Sequence, residues 1–213
     1  MSENISIINC KTNWEIDAIK FIKSKISNKK YIILTGGRSV KNLYKKDIFF
    51  NLIKNKDIFL SDERLNTCKD NKNANLIKKY FKNKIYLPQE FKNKYVNKID
   101  FSLLSYGDDG HVASIFPNIK KKECVNAKNY FITKFKKIGY KRSSLLMTTF
   151  KNIRINFIIL IGKKKGMFFN KFLNKYLKYS KKKDLIKSFP VISILHNSFF
   201  LLDSKAYKEL KKL

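Results

Sequence analysis

The chain has 213 residues, 44% of them hydrophobic and 14% aromatic, with 7 Gly and 3 Pro. That is enough apolar material for one buried core, so an ordered single domain over 1–213 is expected, with no stretch that reads as a flexible linker. Lys and Arg number 47 against 16 Asp and Glu, a formal net charge of +31. Such a balance normally points to nucleic acid or an anionic membrane, yet the motifs of nucleic-acid readers are absent, and the lysines run through almost every segment rather than gathering on one.

In chain order, Thr12 or Asn13 can cap a helix whose apolar positions Trp14, Ala18, Ile19, Ile22 and Ile26 recur at helical spacing, ending near Asn28. Tyr31 to Thr35 is a β-rich run cut by Gly36-Gly37, and Ser39 is placed to cap a helix through Leu43 and Tyr44. Asp57 to Ser61 reads as a second strand running into the charged turn Asp62-Glu63-Arg64, with a helix from Asn73 to Phe81 after it. Asp100 to Tyr106 is a third buried strand, ended by Gly107-Asp108-Asp109-Gly110-His111. Further β-rich runs follow at 130–133, 144–149, 155–161, 191–195 and 199–202, with a helix from Gly166 to Tyr179 between two of them. Strands alternating with helices define an α/β protein with a mainly parallel sheet covered on both faces; the crowding of β-runs between 130 and 161 suggests some antiparallel pairing.

Cys10, Cys68 and Cys124 are odd in number and widely separated, the usage of free thiols in a reducing compartment. The start Met1-Ser2-Glu3-Asn4 has neither the basic nor the apolar region of a secretion signal, and no run approaches the ~20 apolar residues of a spanning helix. A cytoplasmic protein is expected, with no membrane partner.

Three turn motifs thus end successive strands: Thr35-Gly36-Gly37-Arg38-Ser39, Ser61-Asp62-Glu63-Arg64 and Gly107 to His111. If the strands are parallel neighbours, all three face one crevice beyond the strand tips, where open α/β sheets bind ligands. Each has a plainer reading. A glycine pair before a helix lets backbone amides approach an anion, but ordinary turns also use it, and it matches neither a P-loop nor the dinucleotide fingerprint. Two carboxylates and a guanidinium can orient a base and clamp an anion, or form a solvated charge run; their place at a strand tip favours the former. His111 is one of 2 His in the chain and the one with chemistry around it, a candidate general base beside the carboxylates of Asp108 and Asp109. The same turn can also be read as a helix cap with a satisfied histidine, whereas a metal site needs ligands the local sequence does not supply. Ser114 would share a helix face with His111, and His196 stands in a turn with no catalytic surroundings. Arg142 and Lys165, at the ends of β-runs, could hold a phosphate or be merely solvated.

Taken together these residues resemble the 6-phosphogluconolactonases, within the group that includes the glucosamine-6-phosphate deaminases. Leu34 to Ser39 is similar to the family's glycine loop, Asp62-Glu63-Arg64 to its acidic-arginine motif, and Asn73 to the asparagine that follows it. The specific match is Gly107-Asp108-Asp109-Gly110-His111 with Ala113-Ser114-Ile115-Phe116-Pro117; Arg142, Gly162 with Lys165, Pro190-Val191 and Leu201-Leu202-Asp203 fall in the family's order. Departures are Ser105 for a usual glycine, Val112 for threonine, Val40 for proline, Lys72 for serine, and Leu65-Asn66-Thr67 for a stretch with valine-proline.

The resemblance implies a three-layer α/β/α, Rossmann-like fold and cofactor-free hydrolysis of a phosphorylated sugar lactone in the oxidative pentose phosphate pathway. His111 would be the base, Asp109 its orienting partner, and Asp62 and Arg64 part of the catalytic set. Substrate would be bound by Gly36, Gly37, Arg38, Ser39, Asn73, Gly107, Arg142 and Lys165, with Arg142 and Lys165 favoured for the phosphate. No metal is implied, and a monomer or weak homodimer is expected. The alternatives are a deaminase-like sugar-phosphate enzyme and a nucleic-acid binder on an inactive version of the fold. Against the first, the stretch after His111 carries no carboxylate, where the deaminating relatives have a Glu.

Overall fold

Short apolar runs become strands here because both of their faces are buried. In Tyr31–Leu34 (β2), Ile32 and Leu34 enter one hydrophobic cluster while Ile33 enters the other. The same period of two divides Ile58 and Leu60 from Phe59 in Asp57–Leu60 (β3), and Phe157 and Ile159 from Ile158 and Leu160 in Asn156–Leu160 (β10). The computed structural model describes residues 5–11, 13–120, 123–133, 141–179 and 182–210. Within them the first strand is Ser6–Cys10 (β1), Ile85–Tyr86 is β5, Ile99–Ser105 is β6 and Ser198–Asp203 is β11. These strands form one sheet in the order β1-β11-β10-β6-β2-β3-β5, with every pairing parallel. Helices Trp14–Lys25 (α1), Arg38–Tyr44 (α2), Asp47–Ile53 (α3) and Asn73–Tyr80 (α4) cover one face; Met147–Asn152 (α5), Lys163–Lys178 (α6) and Ser204–Lys208 (α7) cover the other.

Antiparallel pairing is confined to a second sheet. Asp62–Arg64 (β4), Cys124–Asn126 (β7), Tyr130–Thr133 (β8) and Arg142–Leu145 (β9) lie in the order β4-β9-β8-β7. The charged run expected as a turn is therefore a strand, its backbone paired with β9 about eighty residues further along the chain.

Other expectations are corrected by the surroundings. The first helix stops at Lys25 and not near Asn28, because the amides of Ser27 and Lys29 donate to Asp100 and Asn28 turns into the left-handed region; Thr12 lies outside the described residues. Ser39 does not cap α2, whose N-cap is Gly37 with φ 101°. The run 144–149 divides into the end of β9 and the start of α5. Residues 191–195 lie in the 3-10 segment Pro190–Asn197, its proline at the first turn. No helix forms over 112–117, where Ala113 is left-handed with φ 54°. No helix among the described residues is long and apolar enough to cross a membrane.

At the amino-terminal end of the parallel strands lies a buried ion pair. Lys56 Nζ meets Asp100 Oδ2 at 2.8 Å, with the two side chains 4% and 0% exposed. The lysine also donates to the Lys29 carbonyl, and Asp100 accepts from the backbone and hydroxyl of Ser27 and the amide of Lys29. Burial pushes the Asp100 carboxyl upward, but the hydrogen bonds from Lys56 and the Ser27 amide pull harder, and it ends below its ordinary value.

Candidate active site

At the opposite end, β6, β2 and β3 stand side by side, so their carboxyl tips open on one edge. The chain reverses its direction of growth there: β3 and β5 extend beyond β2, whereas β10 and β11 extend beyond β6. That reversal makes a crevice between the loops leaving β2 and β6. A cleft of about 240 Å³ occupies it. Thr35 to Ser39 line it from the β2 loop, Asp62 and Arg64 from β4, and Asn73 from the start of α4. Ser105, Gly107, Asp108, His111 and Ala113 come from β6 and its loop, Arg142 from β9 and Lys165 from α6.

The His111 ring is held from two sides. Its Nδ1 lies 2.5 Å from Asp109 Oδ1, and the same oxygen accepts from the His111 amide at 3.1 Å. The Phe116 ring packs against the imidazole with centroids 4.8 Å apart. Partial desolvation raises the Asp109 carboxyl, and the hydrogen bond and charge of His111 more than offset it, leaving the group below its ordinary value. Gly107 is needed for close approach: a Cβ there would lie 2.1 Å from His111 Nδ1. Gly107→Ala is therefore expected to displace the imidazole and cut activity at least tenfold while the melting temperature falls little, since the clash is local; an active Gly107→Ala protein would show that the ring's seat is unimportant.

Asp62, 3% exposed, is fixed at both oxygens. Ser61 Oγ donates to Oδ1 at 2.8 Å, Ser114 Oγ donates to Oδ2 at 2.7 Å, and Arg142 stands 3.9 Å from Oδ2. Arg142 also lies over the Phe116 ring, so Asp62 and Phe116 together aim the guanidinium. Glu63 points elsewhere: its carboxylate accepts from the amides of Arg64, Asn73 and Ala74, which terminates α4 with negative charge at its amino end. Asn73 donates to the Asp62 carbonyl and packs on the glycine loop, where a Cβ on Gly36 would meet its Oδ1 at 2.2 Å. Arg64 donates to the Asn71 carbonyl at 3.0 Å. Lys165 Nζ donates to Ser39 Oγ at 2.8 Å and Ser105 Oγ at 3.0 Å. Burial holds its ammonium below the usual lysine value, with Arg38 acting the same way and Asp108 and Asp109 opposing.

The fold thus gathers His111, Asp62, Arg64, Gly36, Gly37, Arg38, Ser39, Asn73, Gly107, Arg142 and Lys165 around one cleft, and sets Asp109 just behind His111. Thr35, Ser105, Asp108 and Ala113 also line it. Ser105 stood out in the sequence only as a departure from the resembled family's glycine, with no role attached to its hydroxyl. Four cations, Arg38, Arg64, Arg142 and Lys165, face two carboxylates, Asp62 and Asp108, so the cleft favours an anionic ligand. Among the described residues no three His, Cys, Asp or Glu side chains gather as a metal's ligand set.

Fold and cleft together define an α/β protein with a small, cationic ligand site at the switch point of its sheet. Residues 86–197, just over half of the chain, match the model of the glucosamine-6-phosphate isomerases/6-phosphogluconolactonase family. A 6-phosphogluconolactonase of Helicobacter pylori is 27% identical, with 78% of each chain covered. Among solved structures, a 6-phosphogluconolactonase from Plasmodium vivax superposes with a TM-score of 0.72 at 18% identity, covering 100% of this chain and 96% of that one. A monomeric glucosamine-6-phosphate deaminase superposes with a TM-score of 0.69 at 16% identity, covering 96% and 99%. These two likenesses establish the fold, which both activities share. The chain belongs to the glucosamine-6-phosphate isomerase/6-phosphogluconolactonase family.

Proposed function

We propose that this protein hydrolyses 6-phospho-D-glucono-1,5-lactone to 6-phospho-D-gluconate, the lactone-opening step of the oxidative pentose phosphate pathway, as a single domain over 1–213. The observation that carries the reading is an imidazole tied at Nδ1 to a carboxylate and standing in a cleft with four cations. With Nδ1–H donated to Asp109, Nε2 is the basic nitrogen. It takes a proton from water as the oxygen attacks the lactone carbonyl, and returns it to the ring oxygen as the C–O bond breaks. Asp109 fixes the tautomer and favours the imidazolium formed in between.

The oxyanion needs donors already in place. The Gly107 amide is taken by the His111 carbonyl at 2.8 Å, which leaves the amides of the Gly36-Gly37 loop and the Arg64 guanidinium for that role; one such donor is worth ~3 kcal/mol of barrier. Arg142, aimed by Asp62, and Lys165 bind the phosphate, with Arg38 and Arg64 beside them. The lactone reading is preferred to deamination because the segment after His111 contributes no carboxylate, and ring opening with amine loss requires more proton-transfer groups than hydrolysis of a strained ester.

Coupled hydrolysis of freshly generated phospholactone, corrected for spontaneous opening, is expected to show turnover proportional to protein. Opening at the spontaneous rate, or ammonia release from glucosamine 6-phosphate in its place, would overturn the reading. With a formal net charge of +31 and a dianionic substrate, kcat/KM is also expected to fall several-fold as salt rises from roughly 10 to 150 mM, where screening shortens to about 8 Å; a flat salt profile would remove electrostatic steering from the account.

A further inference from the structure

We infer that Ser105 is a positioning residue of the anion site: its hydroxyl, with that of Ser39, fixes the Lys165 ammonium at the carboxyl tip of β6. The assignment rests on the phosphate role proposed for Lys165 and adds the group that aims it. Lys165 rises from the first turn of α6 and reaches two other elements, the start of α2 through Ser39 and the end of β6 through Ser105. An ammonium has three N–H donors. Two are committed to the hydroxyls, so the direction of the third is set by them and not by the flexible lysine stem.

The two hydroxyls differ in how firmly they are held. Ser39 belongs to the glycine loop and the short helix after it, whereas Ser105 sits on a strand paired on both sides, opposite Ile159 of β10. A site built on such a strand keeps its geometry better than one built on a loop. Each hydroxyl accepts from the ammonium, so both act on an incoming anion through Lys165, whose remaining N–H is the donor offered to phosphate oxygens. Asp108 and Asp109 act on the same ammonium by charge alone; without the hydroxyls it would swing toward them and away from an incoming anion.

The test is the binding of inorganic phosphate to the intact protein by calorimetry, which requires no turnover. Ser105→Ala and the near-isosteric Ser105→Cys are each expected to weaken phosphate binding roughly tenfold, the loss of one hydrogen bond to a charged group, and Ser105→Thr to restore it. In a Lys165→Met background, Ser105→Ala should change phosphate affinity no further. Kinetically the loss should appear in KM for the phospholactone more than in kcat, and less on the unphosphorylated lactone. Phosphate affinity within twofold of the unsubstituted protein in both Ala and Cys variants would overturn the assignment, as would an equal loss in the Lys165→Met background. Phosphate data as expected without lactone turnover would retain Ser105 and remove the lactonase reading; turnover with phosphate binding indifferent to Ser105 would do the reverse.

Discussion

Replacing His111 by alanine is expected to lower kcat for the phospholactone by roughly a hundredfold or more, the contribution of a positioned general base, while KM stays within a few fold. A hundredfold corresponds to about 2.7 kcal/mol of barrier. The separation between the two constants follows from the cleft. The imidazole is held by Asp109 and Phe116, whereas the four cations reach the cleft from other elements, α2, β4, β9 and α6. Truncation therefore removes the proton acceptor and leaves the anion-binding groups where they were. Asp109→Asn should produce a smaller loss, because the carboxylate is 57% exposed and water takes over part of its role. Unchanged turnover in the His111→Ala protein would sink the mechanism, and a loss confined to KM would reassign His111 to binding.

The largest effect on stability is expected far from the cleft. Asp100→Asn leaves the Lys56 ammonium buried without its counter-charge, and breaking such a pair from one side destabilises by about 3–5 kcal/mol. The Ser27 and Lys29 amides that end α1 and lead into β2 lose a charged acceptor at the same time. The pair also gives stability a pH dependence. Because the folded Asp100 carboxyl lies below its ordinary value, the unfolded chain binds its proton first as acid is added. The stabilisation is complete above about pH 4, the unperturbed carboxylate value, and disappears as pH falls through the lower folded value. Urea unfolding at neutral pH and at pH 3 should show the gap between the native protein and Asp100→Asn narrowing in acid. A neutral-pH difference below 1 kcal/mol would mean that the pair is dispensable.

How much of this could be read from residues alone follows from how local each interaction is. The loops leaving β2 and β6 were legible, because an apolar run followed by glycines and polar side chains is a local signal, and the inference that their ends share a crevice agrees with the neighbouring positions of β6, β2 and β3. Asp62-Glu63-Arg64 was legible as a cluster but not as a strand: three residues show no periodicity, and the backbone partner is β9. The division of labour within it was equally hidden, since Glu63 caps α4 only once Asn73 and Ala74 are brought to it. Residues 191–195 misled because a short apolar run is as compatible with a buried 3-10 turn as with a strand. Lys56 gave no sign, lost among many lysines, and Ser105 showed only as a serine in place of a usual glycine; their roles exist only in the assembled sheet.

The sheet order has a consequence for how the chain comes to be folded. β1, the first strand among the described residues, pairs with β11, the last of them, and β11 lies between β1 and β10. Until about residue 203 has been synthesised, the nascent polypeptide holds β1 without its neighbour and β10 with an open hydrogen-bonding edge. The strands beneath the cleft, β6, β2 and β3, and the last residue that lines it, Lys165, all precede β11, so loss of the final strand should leave the ligand loops encoded but the layer beneath them unsealed.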